Sequence, residues 1–165
     1  VEKRLRAIEP RLARAGQSAH FVHFSDPGDE SLLEPLKNAD LVLVDAPCSG
    51  SGTWRRHPEE AHRLTEDEVR RLHVLQVQIL NRAAKCVKPG GRLVYVTCSV
   101  LDDENAESAN AFEADHADFA PLNLAVLADA SSFDSTHLNF LGHRLSLSPH
   151  KTHTDGFFLS VWQRK

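Results

Sequence analysis

Four apolar residues, Leu41–Val44, stand between two aspartates in the stretch DLVLVDAPCSG, residues 40–50. A continuous apolar run of this kind is typical of a strand buried on both faces of a parallel sheet. A second run, RLVYVTCS at residues 92–99, has the same character. Each run ends close to a cysteine, Cys48 after the first and Cys98 at the end of the second. The sequence therefore predicts two buried strands that end beside thiols.

The segment between these strands, residues 64–91, has the pattern of a long amphipathic helix. Thr65 and Glu68 form a capping box at its start, and the sequence KPGG is predicted to end it. A strand, a helix and a second buried strand make a βαβ unit, so we predict an α/β fold with a mainly parallel sheet. The predicted inward face of the helix comprises Val69, Leu72, Gln76, Ile79, Leu80, Ala83 and Val87.

Further elements are predicted on both sides of this unit. Residues 2–16 have helical spacing, with basic residues between the apolar ones and Gly16 as the cap. Residues 102–115 predict a helix with an acidic front. The other predicted strands lie at His20–Phe24, 144–148 and 157–162, and a linker is predicted at residues 128–139.

Composition and charge limit the type of protein. The 165 residues are 41% hydrophobic and 25% charged, which is ordinary for a globular chain, so we predict one domain over residues 1–165. The net charge of −4 argues against a domain that holds nucleic acid by bulk electrostatics. Three widely spaced cysteines and the lack of a long apolar run favour a cytoplasmic protein. The chain begins at Val1 within a helical pattern and contains no methionine, so we interpret it as part of a longer protein.

The two cysteines beside the strand ends are candidate nucleophiles. A free cysteine is most often a core residue, and we assign Cys86 to that class. Cys48 instead lies in a glycine-rich turn, and Cys98 stands between hydroxyl side chains. Parallel strands end at one sheet edge, so both thiols and Asp45 are expected in one crevice. The cationic segment at residues 55–57 is close enough in sequence to lower the pKa of a thiol.

Three segments together resemble a known enzyme family. They are DAPCSGSGTWRRHPE at residues 45–59, KPGGRLVYVTCSVLDDEN at residues 88–105 and TDGFF at residues 154–158. The chain resembles the C-terminal catalytic portion of the S-adenosylmethionine-dependent RNA 5-methylcytosine methyltransferases of the Sun/RsmB family, and is most similar to the bacterial branch that modifies small-subunit ribosomal RNA. The resemblance implies a class I methyltransferase with a Rossmann-like sheet, N-terminally truncated so that its first strands are missing. Its late strands would form an antiparallel edge.

The resemblance also implies roles for individual residues. Cys98 matches the nucleophile of the family, Cys48 matches the second cysteine that assists product release, and Asp45 matches the acid that contacts the cytosine. For the cofactor, S-adenosylmethionine, the resemblance implies contacts from Asp26, Asp45 and Pro47. For Asp26, an ordinary Asp-Pro-Gly turn is an equal alternative, and for Pro47 the alternatives are a contact with the base or a role only in shaping the turn.

The chemistry of such an enzyme explains these residue types. Carbon 5 of cytosine is a poor nucleophile, so a thiolate first adds to carbon 6 and makes carbon 5 reactive toward a methyl donor. A carboxyl group can stabilise the adduct through the polar edge of the base. Arg55 and Arg56 are candidates for RNA phosphate contacts, with a purely solvated role as the alternative.

The sequence departs from the family pattern at the cofactor site. The glycine-rich first motif is missing, and so is the acid that would bind the ribose hydroxyls, since Glu2 is displaced from its place. We therefore expect the 165 residues alone to be inactive. An unpaired sheet edge is also expected to favour self-association.

Two other functions stay open at this point. A module that retains the fold without a working cofactor site would bind RNA and form no covalent adduct. A thiol hydrolase would need a histidine facing Cys98 or Cys48, and the sequence marks none. The sequence HKTH at residues 150–153 has metal-ligand spacing without a cysteine or acid cluster, so no metal is predicted.

Overall fold

The structure is a computed structural model, and it describes residues 7–22, 30–129 and 138–165. The chain divides into two compact units, Val1–Leu36 and Lys37–Lys165. The sheet and both candidate thiols belong to the second unit. The one domain predicted for the whole chain stays a prediction.

The first unit contains helix α1 (Glu9–Arg14) and a 3₁₀ helix at Glu30–Leu36. Pro10 lies in the first turn of α1, where its missing N–H would have no helical partner, so the proline marks the start of the helix. Of the strand predicted at His20–Phe24, the first three residues form no strand and the last two lie outside the described residues.

The second unit contains the βαβ unit and a group of later strands. A π-helical turn, Asp103–Glu107, precedes its second α-helix. In chain order the elements are β1 (Ala39–Asp45), α2 (Glu66–Ala84), β2 (Val87–Thr97), α3 (Ser108–Asp115), β3 (Phe119–Pro121), α4 (Leu124–Asp129), β4 (Asn139–Leu141), β5 (Arg144–Leu147), α5 (Pro149–Thr152) and β6 (Phe157–Arg164). Most of the predicted linker, residues 130–137, lies outside the described residues.

These strands form one sheet in the order β1-β2-β6-β5-β4, with β3 paired to β6. Strands β1 and β2 are parallel, and every other pairing among the described strands is antiparallel. The prediction of a mainly parallel sheet is therefore wrong, while that of late antiparallel strands is confirmed. A turn at Gly142 and His143 reverses the chain between β4 and β5. The other antiparallel pairings come from β6, which pairs with β2, β3 and β5 after returning from a distant part of the chain.

Helix α2 connects the two parallel strands as predicted. The Thr65 hydroxyl accepts a hydrogen bond from the backbone N–H of Glu68 at 3.2 Å, which caps the first turn. The helix ends at Ala84, before the KPGG sequence, so the prediction that KPGG ends it is wrong. KPGG lies inside β2 instead, at the irregularity where the pairing with β1 shifts register between Val87 and Arg92.

The core lies where α2 and α3 pack on the sheet. Leu80 on α2 and Phe112 on α3 are fully buried. The Phe112 ring lies 4.8 Å from that of Trp162 on β6, between centroids, so α3 is fixed to the sheet by aromatic packing. Among the described residues, no helix is both long enough and apolar enough to cross a membrane.

Strand β1 differs from the expectation that both its faces are buried. Val44 is 6% exposed, but Leu41 and Leu43 on the opposite face are 59% and 63% exposed. Within the described residues, β1 pairs with β2 on one side and with no strand on the other. One face of the apolar strand β1, which carries Leu41 and Leu43, is therefore not covered by the residues that the structure describes.

Candidate active site

The site is built at the end of the parallel strand pair. Asp45 on β1 lies opposite Val96 on β2, and the backbone N–H of Ala46 donates to the Val96 carbonyl at 3.0 Å. Cys48 follows β1 by three residues, and Cys98 directly follows β2. Because the strands are parallel and in register here, both cysteines leave the sheet at the same edge.

The two thiols are in direct contact. The Sγ atoms of Cys48 and Cys98 are 3.3 Å apart, and both residues are half-buried. Cys86, by contrast, is buried just beyond α2, where its thiol points toward the Arg82 carbonyl at 3.9 Å. Burial raises the pKa of Cys86, so this thiol behaves as a core residue, as predicted from the sequence.

Contact between the thiols makes them chemically different. The hydrogen bond with Cys48 lowers the pKa of Cys98 to about 7 against the opposing effect of burial, and a hydrogen bond from the backbone supports the shift. The same hydrogen bond, together with burial, raises the pKa of Cys48 far above its ordinary value. The directions of the two shifts favour Cys98 over Cys48 as the thiol that ionises first.

A buried carboxylate connects the segment after β1 that carries Cys48 (residues 46–53, the Cys48 loop) with the segment after β2 that carries Cys98 (residues 98–102, the Cys98 loop). Glu104, in the π-helical turn, is 0% exposed. Its carboxylate accepts the backbone N–H of Ser49 at 2.7 Å and the hydroxyl groups of Ser49 and Ser99 at 2.5 and 2.6 Å. Ser49 follows Cys48 and Ser99 follows Cys98, so one side chain contacts the neighbour of each thiol.

Two glycines bring the TDGFF turn against the Cys48 loop. The backbone N–H of Gly156 donates to the Gly52 carbonyl at 2.8 Å, and that of Gly52 donates to the Cys98 carbonyl at 3.0 Å. A Cβ atom on Gly52 would lie 2.1 Å from the Gly156 carbonyl oxygen. The approach of these backbones therefore requires glycine, and it connects three segments of the site.

Arg55 and Arg56 face the same turn. The Arg56 guanidinium lies 2.6 Å from Asp155, and that of Arg55 lies 3.7 Å from it. Both arginine side chains are still more than half exposed, at 62% and 56%. The suggestion that residues 55–57 activate a thiol therefore finds no support, since the two arginines pair with a carboxylate and His57 lies 3.8 Å from Glu59.

The other predicted site residues lie at or near the end of β1. Asp45 and Pro47 are both exposed, and the Pro47 carbonyl accepts a hydrogen bond from the Gln76 side chain at 2.9 Å. Asp26 lies outside the described residues. An open cleft of 650 Å³ adjoins Cys48, and its lining includes acidic and basic side chains from the loop before α2 and from α2 itself: Glu60, Arg63, Glu68 and Arg71.

Metal and hydrolase chemistry can be compared with this geometry. In the described ranges, no group of three or more histidine, cysteine, aspartate or glutamate side chains is arranged to hold a metal. Within the same ranges, neither thiol of the pair has a hydrogen bond to a histidine. A base that would make either thiol a hydrolase nucleophile is not among these contacts.

The family follows from comparison with known proteins. A model of the family described as 16S rRNA methyltransferase RsmB/F matches residues 1–163. The chain belongs to this family. The thiol pair, the Glu104 contacts and the Gly52–Gly156 approach are thus features of a member of the RsmB/F family, and the family resemblance read from the three sequence segments is confirmed.

Individual relatives agree with this assignment. The chain is 36% identical over 159 residues to ribosomal RNA small subunit methyltransferase B of Shewanella oneidensis, a match that covers 94% of this chain and 34% of the relative. It shares 32% identity and a TM-score of 0.82 with the crystal structure of PH0851, over 99% of this chain and 35% of that one. The fold also matches NSun6 from Pyrococcus horikoshii with SFG, at 23% identity and a TM-score of 0.77, over 99% of this chain and 39% of that one. The chain thus spans about a third of the length of the first two relatives.

Sequence reasoning missed the residues that join the loops of this RsmB/F-family chain. Residues 102–115 were predicted as a helix with an acidic front, yet Asp102 and Asp103 are exposed while Glu104 is buried. One signal could have indicated the network, because a serine follows both Cys48 and Cys98. That both serines meet one carboxylate depends on the tertiary structure.

Proposed function

We propose that the protein containing this chain transfers a methyl group from S-adenosylmethionine to carbon 5 of cytosine in RNA, with small-subunit ribosomal RNA as the substrate. The observation that carries the proposal is the contact between Cys48 and Cys98 at 3.3 Å, with the pKa of Cys98 lowered to about 7. A thiolate available near neutral pH is what addition to a pyrimidine ring requires. Membership of an rRNA methyltransferase family supports the same reaction.

In the proposed cycle, Cys98 acts as the nucleophile. Its sulfur forms a bond to carbon 6, and the electron pair of the carbon 5–carbon 6 double bond shifts to form an enamine between carbons 4 and 5, which makes carbon 5 nucleophilic. Asp45, exposed at the end of β1, hydrogen-bonds the polar edge of the base and stabilises the adduct. Carbon 5 would then attack the methyl group of the donor, whose sulfur–methyl bond breaks to leave a neutral thioether. A base removes the proton from carbon 5, the carbon 5–carbon 6 double bond re-forms, and the sulfur–carbon bond breaks with its electron pair returning to Cys98. Cys48 assists this release as the proton donor nearest to Cys98.

The target cytosine must leave its stack to reach Cys98. A thiol that lies between two loops cannot contact carbon 6 of a base inside a duplex, so the base is taken from a loop or flipped out. The 650 Å³ cleft beside Cys48 is open to solvent and borders Arg63. We propose that RNA approaches the thiol pair from this side.

The described residues supply only part of a site for the methyl donor. Asp45 and Pro47 are exposed at the end of β1, where a ligand of an open α/β sheet is expected. S-adenosylmethionine, when bound, supplies an electrophilic methyl group. The glycine-rich motif that would cradle its methionine end is missing from the sequence, so we expect the 165 residues to need a further segment for activity.

The proposal is tested by transfer of a labelled methyl group to RNA, followed by nucleoside analysis. The full-length protein should place label in 5-methylcytidine, and the 165-residue chain should not. Cys98→Ala should abolish transfer, and Cys48→Ala should accumulate a protein–RNA adduct. Cys86→Ala is the matched control, because this thiol is buried away from the site and should leave transfer unchanged.

Two results of these assays would contradict the proposal. Normal transfer by Cys98→Ala would remove Cys98 as the nucleophile. RNA binding by the full-length protein without transfer, and without loss on Cys98→Ala, would favour the RNA-binding module that lacks a working cofactor site.

Phosphate contacts of Arg55 and Arg56 give a separate prediction. Arg56→Ala should weaken RNA binding about equally for all sequences and reduce the slope of affinity against salt by roughly one ion. Binding titrations at several salt concentrations measure this. Arg70→Ala on α2 is the control, because Arg70 is also more than half exposed and also ion-paired, but with Asp67 on its own helix rather than with the TDGFF turn. An unchanged salt slope for Arg56→Ala would assign the arginine to its Asp155 contact instead.

A further inference from the structure

We propose that Glu104 is a positioning residue, which holds the Cys48 and Cys98 loops at the separation that keeps the two thiols in contact. The inference deepens the proposed function, on which it rests, by naming the group that fixes the geometry of the nucleophile. It concerns a residue that does not itself touch the reacting base.

The contacts of Glu104 come from both loops. Its Oε1 accepts the Ser49 backbone N–H at 2.7 Å and the Gln76 side-chain amide at 3.2 Å. Its Oε2 accepts the hydroxyl groups of Ser49 and Ser99 at 2.5 and 2.6 Å. Four donors match the four lone-pair positions of an ionised carboxylate. Three of the four belong to the residues that directly follow the cysteines.

The neighbouring serines can orient their protons in one way that satisfies every contact of 3.2 Å or less, while the 3.5 Å approach of the Ser49 and Ser99 oxygens then has no proton between them. The Ser49 hydroxyl oxygen accepts from the Ser51 backbone N–H at 3.2 Å, so its own proton points to Glu104. The Ser99 hydroxyl oxygen accepts from the Leu101 backbone N–H at 3.0 Å, and its proton also points to Glu104. The Ser51 hydroxyl accepts from the Val100 backbone N–H at 3.0 Å and donates to Ser99 at 2.9 Å.

In this arrangement the chain of donated protons ends at the Glu104 carboxylate, which only accepts hydrogen bonds. Ser51, Ser99 and Glu104 are 6%, 1% and 0% exposed, so water cannot easily replace a lost partner. Across the described part of the chain, no arginine, lysine or histidine forms an ion pair with Glu104. Its burial is compensated by donors from the two loops and from α2, and the carboxylate therefore ties these loops together rather than balancing a cation.

Two effects of Glu104 on Cys98 have opposite signs, which makes the proposal testable. Among the titratable groups that act on Cys98 are Cys48, Asp45 and Glu104. The negative charge of Glu104 raises the pKa of Cys98, whereas the hydrogen bond from Cys48 lowers it and is the largest influence. If Glu104 positions the loops, its loss weakens the larger, favourable contact; if it acts by charge alone, its loss lowers the pKa further.

The experiment is the pH dependence of Cys98 alkylation by iodoacetamide in the full-length protein, measured by peptide mass spectrometry. Glu104→Gln keeps the size of the side chain but places an amide donor where only acceptors fit. The midpoint should move upward from about pH 7, and the rate at pH 7 should fall about 5- to 10-fold. A midpoint that moves downward or stays in place would overturn the proposal.

Controls separate positioning from folding. Glu107→Gln changes an exposed acid of the same turn and should leave the midpoint unchanged. If Glu104→Gln fails to fold, Ser49→Ala and Ser99→Ala each remove one hydroxyl contact and should shift the midpoint upward by smaller amounts. Unchanged midpoints in both serine variants would overturn the proposal as well.

Alkylation requires neither RNA nor a methyl donor, so its outcome is independent of the proposed reaction. In the methylation assay, Glu104→Gln should lower kcat and leave the KM for RNA unchanged, because the residue acts on the thiol pair and not on RNA binding. If Glu104→Gln shifts the alkylation midpoint but the unmodified full-length protein transfers no methyl group, the proposed function is refuted and the positioning role is retained. If the unmodified protein transfers methyl groups but Glu104→Gln leaves the midpoint unchanged, the positioning role is refuted and the proposed function is retained.

Discussion

At the scale of single residues, the group that lowers the pKa of Cys98 most is another cysteine, Cys48. Arginine and histidine are the usual groups that stabilise a thiolate, and the sequence offers both at residues 55–57. In the structure, Arg56 binds Asp155, and the group in contact with the Cys98 thiol is the thiol of Cys48. The acids near Cys98 oppose ionisation, so the hydrogen bond between the thiols outweighs them.

Replacement of Cys48 should therefore change the pH dependence of Cys98. In Cys48→Ala the largest cause of the lowered pKa is gone, and the pKa should rise from about 7 toward 9. Since the thiolate is the reactive form, alkylation at pH 7 should slow by at least about 10-fold and recover above pH 9. Rates for the Cys98 peptide across pH 5–10 in both proteins would measure this, and Cys86→Ala should leave them unaltered. Coincident pH profiles would contradict the role assigned to Cys48.

At the scale of elements, the site depends on backbones that approach more closely than side chains allow. The Cys48 loop, the end of β2 and the TDGFF turn meet through Gly52 and Gly156. A Cβ on Gly156 would meet both the Val100 side chain, at 2.4 Å, and the Gly52 Cα, at 2.7 Å. The segments are distant in sequence, and their contact fixes the position of the loop that carries Cys48.

Gly52→Ala should consequently separate these segments. Its Cβ would lie 2.1 Å from a backbone oxygen that cannot rotate away, so we expect the free energy of unfolding to fall by about 1–3 kcal/mol. We also expect the rate of methyl transfer to fall further in Gly52→Ala than in the control variant. Denaturant unfolding and activity of the full-length protein test this. Gly142→Ala is the control: its Cβ meets nothing within 4 Å, and only its φ of 65° costs stability, by about 1 kcal/mol. Equal activity in the two variants would contradict the packing argument.

Besides the packing of Phe112 on Trp162, a carboxylate of helix α3 connects the helix to the late strands. Glu113 Oε1 accepts hydrogen bonds from His143, Arg144 and Trp162 at 2.7, 3.1 and 3.0 Å. Burial would raise the pKa of Glu113, but these hydrogen bonds lower it below its ordinary value of 4.5. The pKa is thus lower in the folded protein than in the unfolded chain.

The sign of this shift sets a pH dependence of stability. The contribution of Glu113 is fully present above about pH 4.5 and is lost as the pH falls through the lower, folded pKa. Glu113→Gln should cost about 1–2 kcal/mol at pH 7, and the difference from the unmodified protein should shrink below pH 4. Urea unfolding between pH 3 and 7 measures both, with Asp115→Asn, an exposed residue of the same helix, as the control. If the free energies of unfolding of Glu113→Gln and the unmodified protein differ by the same amount at every pH, the stabilising role assigned to the ionised Glu113 is refuted.

At the scale of the whole molecule, the described sheet ends in an apolar edge. The exposed leucines of β1, Leu41 and Leu43, occupy one face of a strand whose other neighbour is missing among the described residues. An edge strand with an apolar face tends to pair with another chain. We infer that the 165-residue chain, studied alone, associates with a second copy through this strand.

Sedimentation velocity over a range of concentrations tests this association. The sedimentation coefficient of the 165-residue chain should rise with concentration, and Leu43→Lys should suppress the rise because it places a charge on the proposed contact. Val74→Lys changes a residue on α2 that is 54% exposed and should leave the association unchanged. Monomeric behaviour of the unmodified chain at all concentrations would exclude the β1 contact.

Much of the fold and part of the site could be predicted from local pattern. The capping box at Thr65, the strand ending in Asp45 and the strand ending before Cys98 all depend on short-range spacing, which a sequence displays directly. The direction of the late strands and the burial of Glu104 could not be predicted in this way. Both depend on which distant segments pack together.

The sequence by itself determined the family, the parallel strand pair and the convergence of Cys48 and Cys98, because parallel strands end at a common edge. Only the tertiary structure decided that the two thiols touch, since the 3.3 Å contact joins residues 50 positions apart, and this contact is the largest cause of the lowered pKa of Cys98. It likewise decided that Glu104 joins the two loops and that Gly52 meets Gly156. Hydrogen bonds and close packing act over a few ångströms in space, and separation along the chain does not indicate which groups come that close.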